Sequence, residues 1–157
     1  MINIPEVFEL KFREEVENIS CEDITEEEMQ TAVELGKKMI EFAVQNGGVG
    51  LSAPQIGILK NIIIWEGKEN IFHIGFNPQI YPDGKIIKTV EGCLSYPGET
   101  YYLERYKEIR AVYYVPAKEK NELFKVTRKL IGNEAIKFQH ERHHLQGITI
   151  SMIGKKI

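Results

Sequence analysis

Apolar residues repeat along this chain with two different periods. Met29, Ala32, Val33, Leu35, Gly36, Met39, Ile40 and Ala43 recur at the three- and four-residue steps of one helix face. Thr25 with Glu28 forms a capping box ahead of them, and Gly47-Gly48 stop the helix. A second helix is predicted over residues 133–145, with Gly147 as its C-cap. Between the helices, residues 62–65, 71–76, 109–115 and 123–130 alternate or cluster as strands, and residues 85–90 are extended. Asn77-Pro78 is expected to break the second strand, Tyr81-Pro82-Asp83-Gly84 reads as a turn, and the polar run over residues 118–121 as another. Residues 6–19 mix charges with Val7, Phe8, Leu10, Phe12 and Val16, which suits a short helix or an irregular arm. Residues 48–57 read as loop and short strand, and the apolar run over residues 148–153 as a last short strand. Strands in the middle with a helix on each side make an α+β arrangement, not alternating βαβ units. Without repeats or linkers, residues 1–157 are expected to form one domain.

Composition narrows the class. Apolar residues make up 43% of the 157 and charged residues 27%, as in ordinary globular proteins. A net charge of −3 gives no electrostatic reason to expect nucleic acid or an anionic membrane as partner. No run reaches the roughly 18 apolar residues of a spanning helix, and the first residues lack a signal-peptide pattern, so the cytoplasm is the expected compartment. There a disulfide between Cys21 and Cys93 is not expected, which leaves at least one thiol to explain.

The sharpest chemical feature is His140-Glu141-Arg142-His143-His144. On a helix, His140 and His144 lie one turn apart on one face, where both imidazoles reach one ion, and Glu141 stands beside them to handle a water proton. This is the H-E-x-x-H pattern of metal-dependent amide hydrolysis; the alternative is a solvated helix face with clustered histidines. A catalytic site needs a third ligand and an open position. No His, Cys, Asp or Glu follows His144, and Ile150 stands where a metzincin would have its third histidine. The third ligand is therefore upstream, among Cys21, Cys93, His73 and the carboxylates. Cys93 is the best candidate: in Glu91-Gly92-Cys93-Leu94-Ser95 the glycine permits close backbone approach, and a thiolate suits a borderline or soft ion. Cys21 lies in a charged segment, and His73 in an apolar run that reads as strand.

A third segment, Gly48-Val49-Gly50-Leu51-Ser52-Ala53-Pro54-Gln55, lacks the ending of a phosphate-binding loop. With Glu91 to Ser95 and Gln139-His140-Glu141-Arg142-His143-His144, it resembles in order and spacing the three signatures of the peptide deformylase family, G-x-G-L-A-A-P-Q, E-G-C-L-S and Q-H-E-x-D-H. The resemblance implies an antiparallel, partly barrelled sheet packed around a central helix carrying the H-E-x-x-H, with an N-terminal helix. It implies one divalent ion held by Cys93, His140 and His144, with Fe(II) native and Ni, Co or Zn as substitutes. Glu141 would be the general acid and base, Gln55 and the Leu94 N–H the oxyanion donors, and Gly48, Val49, Gly50, Leu51, Gly92 and Ile136 the substrate-binding surface. The implied activity removes the N-formyl group from the N-terminal methionine of new polypeptides by metal-activated water. The implied partners are N-formylmethionyl peptides and the ribosome exit region.

Three departures from the family pattern stand out. His143 occupies the usual Asp position, so its pairing with Arg105 cannot take the usual form, and a rearranged shell around the ligands is expected. Asn133 and Lys137 stand where the family helix tends to be apolar, either facing solvent or making the side-chain pocket more polar. Thr100 stands where some members carry Arg. The alternatives to a deformylase are a metal amidase of the same fold with altered acyl or peptide specificity, and a non-catalytic metal-binding homologue, against which Glu141 argues.

Overall fold

The computed structural model describes residues 1–119 and 121–157. An irregular N-terminal arm with one 3-10 turn, Arg13–Val16, precedes helix α1, Met29–Gln45. The Thr25–Glu28 box forms as expected: the Thr25 N–H donates to Glu28 Oε1 at 3.2 Å, and a 3-10 turn, Glu26–Glu28, opens the helix. Gly47, at φ +71°, ends it.

Among the described residues, eight strands follow in two antiparallel sheets. The strands β1 (Gly50–Ser52), β2 (Ile62–Glu66), β3 (Phe72–Pro82), β6 (Glu108–Pro116) and β7 (Leu123–Ile131) form one sheet in the order β1-β2-β3-β6-β7. The strands β4 (Ile86–Cys93), β5 (Tyr96–Tyr106) and β8 (Lys155–Lys156) form the other, in the order β4-β5-β8. Helix α2, Asn133–Leu145, packs on β1, β2 and β7, and a one-turn helix α3, Ile150–Ile153, packs on β4 and β5. Helix α1 and β2 share a core of Leu35, Met39, Leu51, Ile62 and Ile64; Trp65, Tyr113 and Phe138 centre a second cluster under α2.

Three expectations change. The strand starting near residue 71 does not end at Asn77-Pro78: Asn77 turns to φ +50°, the register with β6 shifts between Phe76 and Gln79, and β3 resumes. The Asn77 side chain makes this tenable by accepting from the Ile24 N–H at 2.7 Å and donating to the Ile24 carbonyl at 3.0 Å. Residues 148–153 are not a strand; Thr149 precedes the helical turn α3, which buries Ile150 and leaves Met152 and Ile153 exposed. A short apolar run has no period by which to tell the two apart. Strand β5 is not anticipated by the sequence reading, because its inward positions alternate as Tyr101, Leu103 and Arg105, and a buried arginine spoils the apolar period. The turn expected over residues 118–121 includes Lys120, which lies outside the described residues. No helix among the described residues is long and apolar enough to cross a membrane.

Candidate active site

Helix α2 carries His140, Glu141 and His144, and the β4–β5 hairpin, turning on Leu94-Ser95, brings Cys93 to them. Among the described residues, Cys93, His140 and His144 are the only three of their kind to offer ligand atoms all within 4.8 Å of one another. Cys93 Sγ lies 3.3 Å from His144 Nε2. His140 Nδ1 faces Glu91 Oε1 at 2.8 Å, which leaves its Nε2 for the site. Burial works against charge on His140, yet contacts with Cys93 and Glu91 carry its pKa up to about 10. A thiol and two imidazoles converging on one point are a donor set that fits a borderline divalent ion.

Glu141 is buried, and its Oε1 has no hydrogen-bond partner among the described residues. Burial pushes its pKa up to about 7. Gly50 lets β1 pass close: a Cβ there would lie 2.5 Å from Glu141 Oε2. Gln55 sits on a 3-10 turn, Ala53–Ile56, entered through Ser52. The Ser52 N–H and Oγ both donate to Gln55 Oε1 at 3.0 Å. The amide orientation follows, and Nε2 points to Ser95 Oγ at 3.1 Å and Cys93 Sγ at 3.6 Å.

Behind His140 lies a buried polar chain. Arg105 Nη2 and Nε each donate to Glu91 at 2.9 Å, and Thr89 Oγ1 donates to the same carboxylate at 2.6 Å. Burial opposes charge on Glu91, but His140 and Arg105 hold it well below the ordinary carboxylate range. Arg105 Nη1 lies 2.7 Å from His143 Nδ1. A guanidinium can only donate, so Nδ1 accepts and His143 is neutral there. Burial, then the charges of Arg105 and His140, press its pKa down to about 4. The contact with Arg105 thus survives as a hydrogen bond to a neutral ring, which is the rearrangement expected at this position. His143 lines a different cavity, with Gln79, Arg142 and Gln146, and is not in the Cys93–His140–His144 group.

A cleft of about 680 Å³ opens over these groups. Gly48, Val49, Gly50, Gly92 and Ile136, the residues expected to bind substrate, line it together with Gln55, Leu94, His140 and Glu141. Leu51 does not: its side chain is fully buried in the α1 core. Thr100, Asn133 and Lys137 are on the cleft wall, where the sequence left the direction of the last two open. Cys21 and Cys93 are both free, and Cys21 packs on the second core cluster. His73 is a strand residue, stacked on Trp65 with ring centroids 5.3 Å apart. The roles of Thr89, Ser52 and Ser95 as supports were missed: Ser95 meets Gln55 only across 40 residues, and the short-range partners of Thr89 and Ser52, two and three residues on, matter only because the fold brings Glu91 and Gln55 to the site.

An antiparallel α+β frame that brings a thiol, two helix-borne imidazoles and a buried carboxylate to one cleft defines a metal-dependent amide hydrolase. The sequence profile of the polypeptide deformylase family matches residues 10–156. Relatives are the peptide deformylases of Clostridium botulinum, 36% identical over 140 residues covering 87% of this chain and 88% of that one, and of Fusobacterium nucleatum, 36% identical over 125 residues covering 76% and 68%. The crystal structure of peptide deformylase from Thermotoga maritima superposes with a TM-score of 0.83 at 28% identity, covering 95% of this chain and 98% of that one. The chain belongs to the peptide deformylase family, the metal-dependent enzymes that deformylate nascent polypeptides.

Proposed function

We propose that residues 1–157 act as one catalytic domain, its sheet partly barrelled around α2, that removes the formyl group from N-formylmethionyl peptides. In this reading Cys93, His140 and His144 hold one divalent ion, Fe(II) by preference, with Ni, Co or Zn able to replace it. When bound, the ion supplies Lewis acidity, which makes water a nucleophile near neutral pH and polarises the formyl oxygen. Glu141 takes the proton as water attacks the formyl carbon, holds it on a carboxyl shielded from solvent, and delivers it to the departing amine nitrogen. The C–N bond breaks, releasing formate and a free amino terminus. The Gln55 Nε2 and the Leu94 N–H receive the oxyanion; a donor of this kind is typically worth about 2.7–4 kcal/mol of barrier. Gly48, Val49, Gly50, Gly92 and Ile136 hold the peptide. Formylated chains emerge at the ribosome exit, so the enzyme's work belongs in the cytoplasm beside it.

The observation that carries this reading is the meeting of three ligand atoms within 4.8 Å beside a buried carboxylate in an open cleft. The test is formate release from formyl-Met-Ala-Ser under anaerobic conditions with Fe(II), Ni(II) and Zn(II) in parallel. Release with Fe(II) or Ni(II), and none from acetyl-Met-Ala-Ser, is expected. Cleavage of acetylated or internal bonds in preference to formyl would reject it in favour of an altered amidase.

A further inference from the structure

Lys137 has no part in the chemistry above, yet it stands over the cleft. It lies on α2 one turn before His140 and Glu141, next to Ile136. Its Nζ donates to Glu66 Oε1, at the end of β2, at 3.1 Å, and the two side chains are 23% and 20% exposed. Asn133, Lys137 and Glu66 also line a second cavity of about 340 Å³, together with Lys68, Arg128, Lys129 and Glu134. Lys137 therefore borders both the catalytic cleft and a neighbouring cavity of mixed charge, with Glu66 on the far side.

An ammonium carries three donors. Among the described residues Glu66 is the sole acceptor that Lys137 meets, so two donors remain for whatever fills the cleft. A hydrocarbon tip pressed against them strands hydrogen bonds of a charged group, and a thioether accepts only weakly. An oxygen acceptor satisfies them. Glu66 already balances the lysine charge, so a neutral acceptor matches the pair, whereas a carboxylate would bring a second anion beside Glu66. Asn133, exposed at the rim and without a side-chain partner among the described residues, offers an amide to the same tip.

We infer that Lys137 is the specificity residue for the first side chain of the formylated substrate, selecting side chains of methionine length that end in a neutral oxygen acceptor, such as methionine sulfoxide or glutamine, over hydrocarbon ones. This rests on the deformylase reading and adds the chemical class of the side chain to it. The experiment measures formate release by the metal-loaded enzyme from formyl-X-Ala-Ser, where X is norleucine, methionine, methionine sulfoxide or glutamine. It uses the wild type, Lys137→Met, and Lys137→Met with Glu66→Gln, which leaves no lone carboxylate. Wild-type kcat/KM should favour the sulfoxide and glutamine over norleucine by about tenfold, and both variants should bring that ratio to one or below. The unformylated peptides should inhibit in the same order. A wild-type ratio at or below one, which needs no variant to fold, or a ratio unchanged in the double variant, overturns the inference while deformylation stands. No formate from any of the four peptides overturns the functional reading with it.

Discussion

Glu141 and His143, two places apart on α2, meet opposite surroundings. Burial raises the pKa of Glu141 and leaves one of its oxygens without a protein partner. A group held this way for structure alone would be costly, since an unsatisfied buried carboxyl destabilises the fold. Replacing it by glutamine should therefore keep the metal and the fold but lower formate release by about 10²–10⁴-fold, the usual worth of a positioned acid–base group. Metal analysis and initial rates on one preparation would show it; an active variant would remove Glu141 from the mechanism. His143 works at the other end of the Glu91–Arg105 chain, where its neutral ring takes a hydrogen bond from a guanidinium only 3% exposed. His143→Leu leaves that donor unpaired and should destabilise by about 1–3 kcal/mol. His143→Asn supplies an oxygen near the same place and should recover most of it. Urea titrations of the three proteins measure both, and equal midpoints would show that the contact contributes nothing.

At the scale of elements, the two ends of the helices decide how the arm and the site are joined. Gly147 closes α2 at φ +70°, and its carbonyl accepts from the Asn18 N–H at 2.9 Å. A Cβ at this position would lie 2.6 Å from the Ile19 carbonyl oxygen, so both conformation and space are unfavourable. Gly147→Ala should cost at least about 2 kcal/mol and speed proteolysis within the arm, read by thermal melts and limited digestion. Glu28 closes the capping box of α1 and also meets Lys60 Nζ at 3.0 Å. Burial, the largest single influence, raises its pKa, but the Lys60 and Thr25 contacts together prevail and lower it. A carboxylate depressed on folding contributes stability above its unfolded pKa of about 4.3 and loses it as pH falls through the folded value. Glu28→Gln should then cost about 0.5–1 kcal/mol at pH 7, and the cost should vanish as acid protonates Glu28 in the folded protein. A gap that persisted in acid would point to packing instead of charge.

For the whole molecule, the site joins the two sheets' neighbourhoods. Cys93 ends β4 of the three-stranded sheet, while α2, with both histidines, packs on β1, β2 and β7 of the five-stranded one. An ion held by all three ligands would add a further tie between parts that packing and the His140–Glu91 and Arg105–His143 hydrogen bonds already join. It binds the folded arrangement and not the dispersed ligands, so at a hundred times its Kd it adds about 2.7 kcal/mol. Chelation should lower Tm by about 5–10 °C, and Ni(II) or Fe(II) should restore it. A melting temperature indifferent to chelator would mean that the three side chains do not share an ion.

The two helices and most strands were legible because their cause is local: period, caps and turn glycines act over a few residues. So were the ligand candidates, since His140 and His144 face one way on any helix and the residues after His144 offer nothing else. What the chain order could not express were partners met only in space. Arg105 turns inward on β5 because Glu91 and His143 wait there, which hides the strand's period. Leu51 is drawn into the α1 core and away from the peptide surface by the pairing of β1 with β2. The direction of Lys137 was settled by Glu66, 71 residues earlier. Burial, pairing and charge balance are properties of the assembled neighbourhood, and only the assembled neighbourhood decides them.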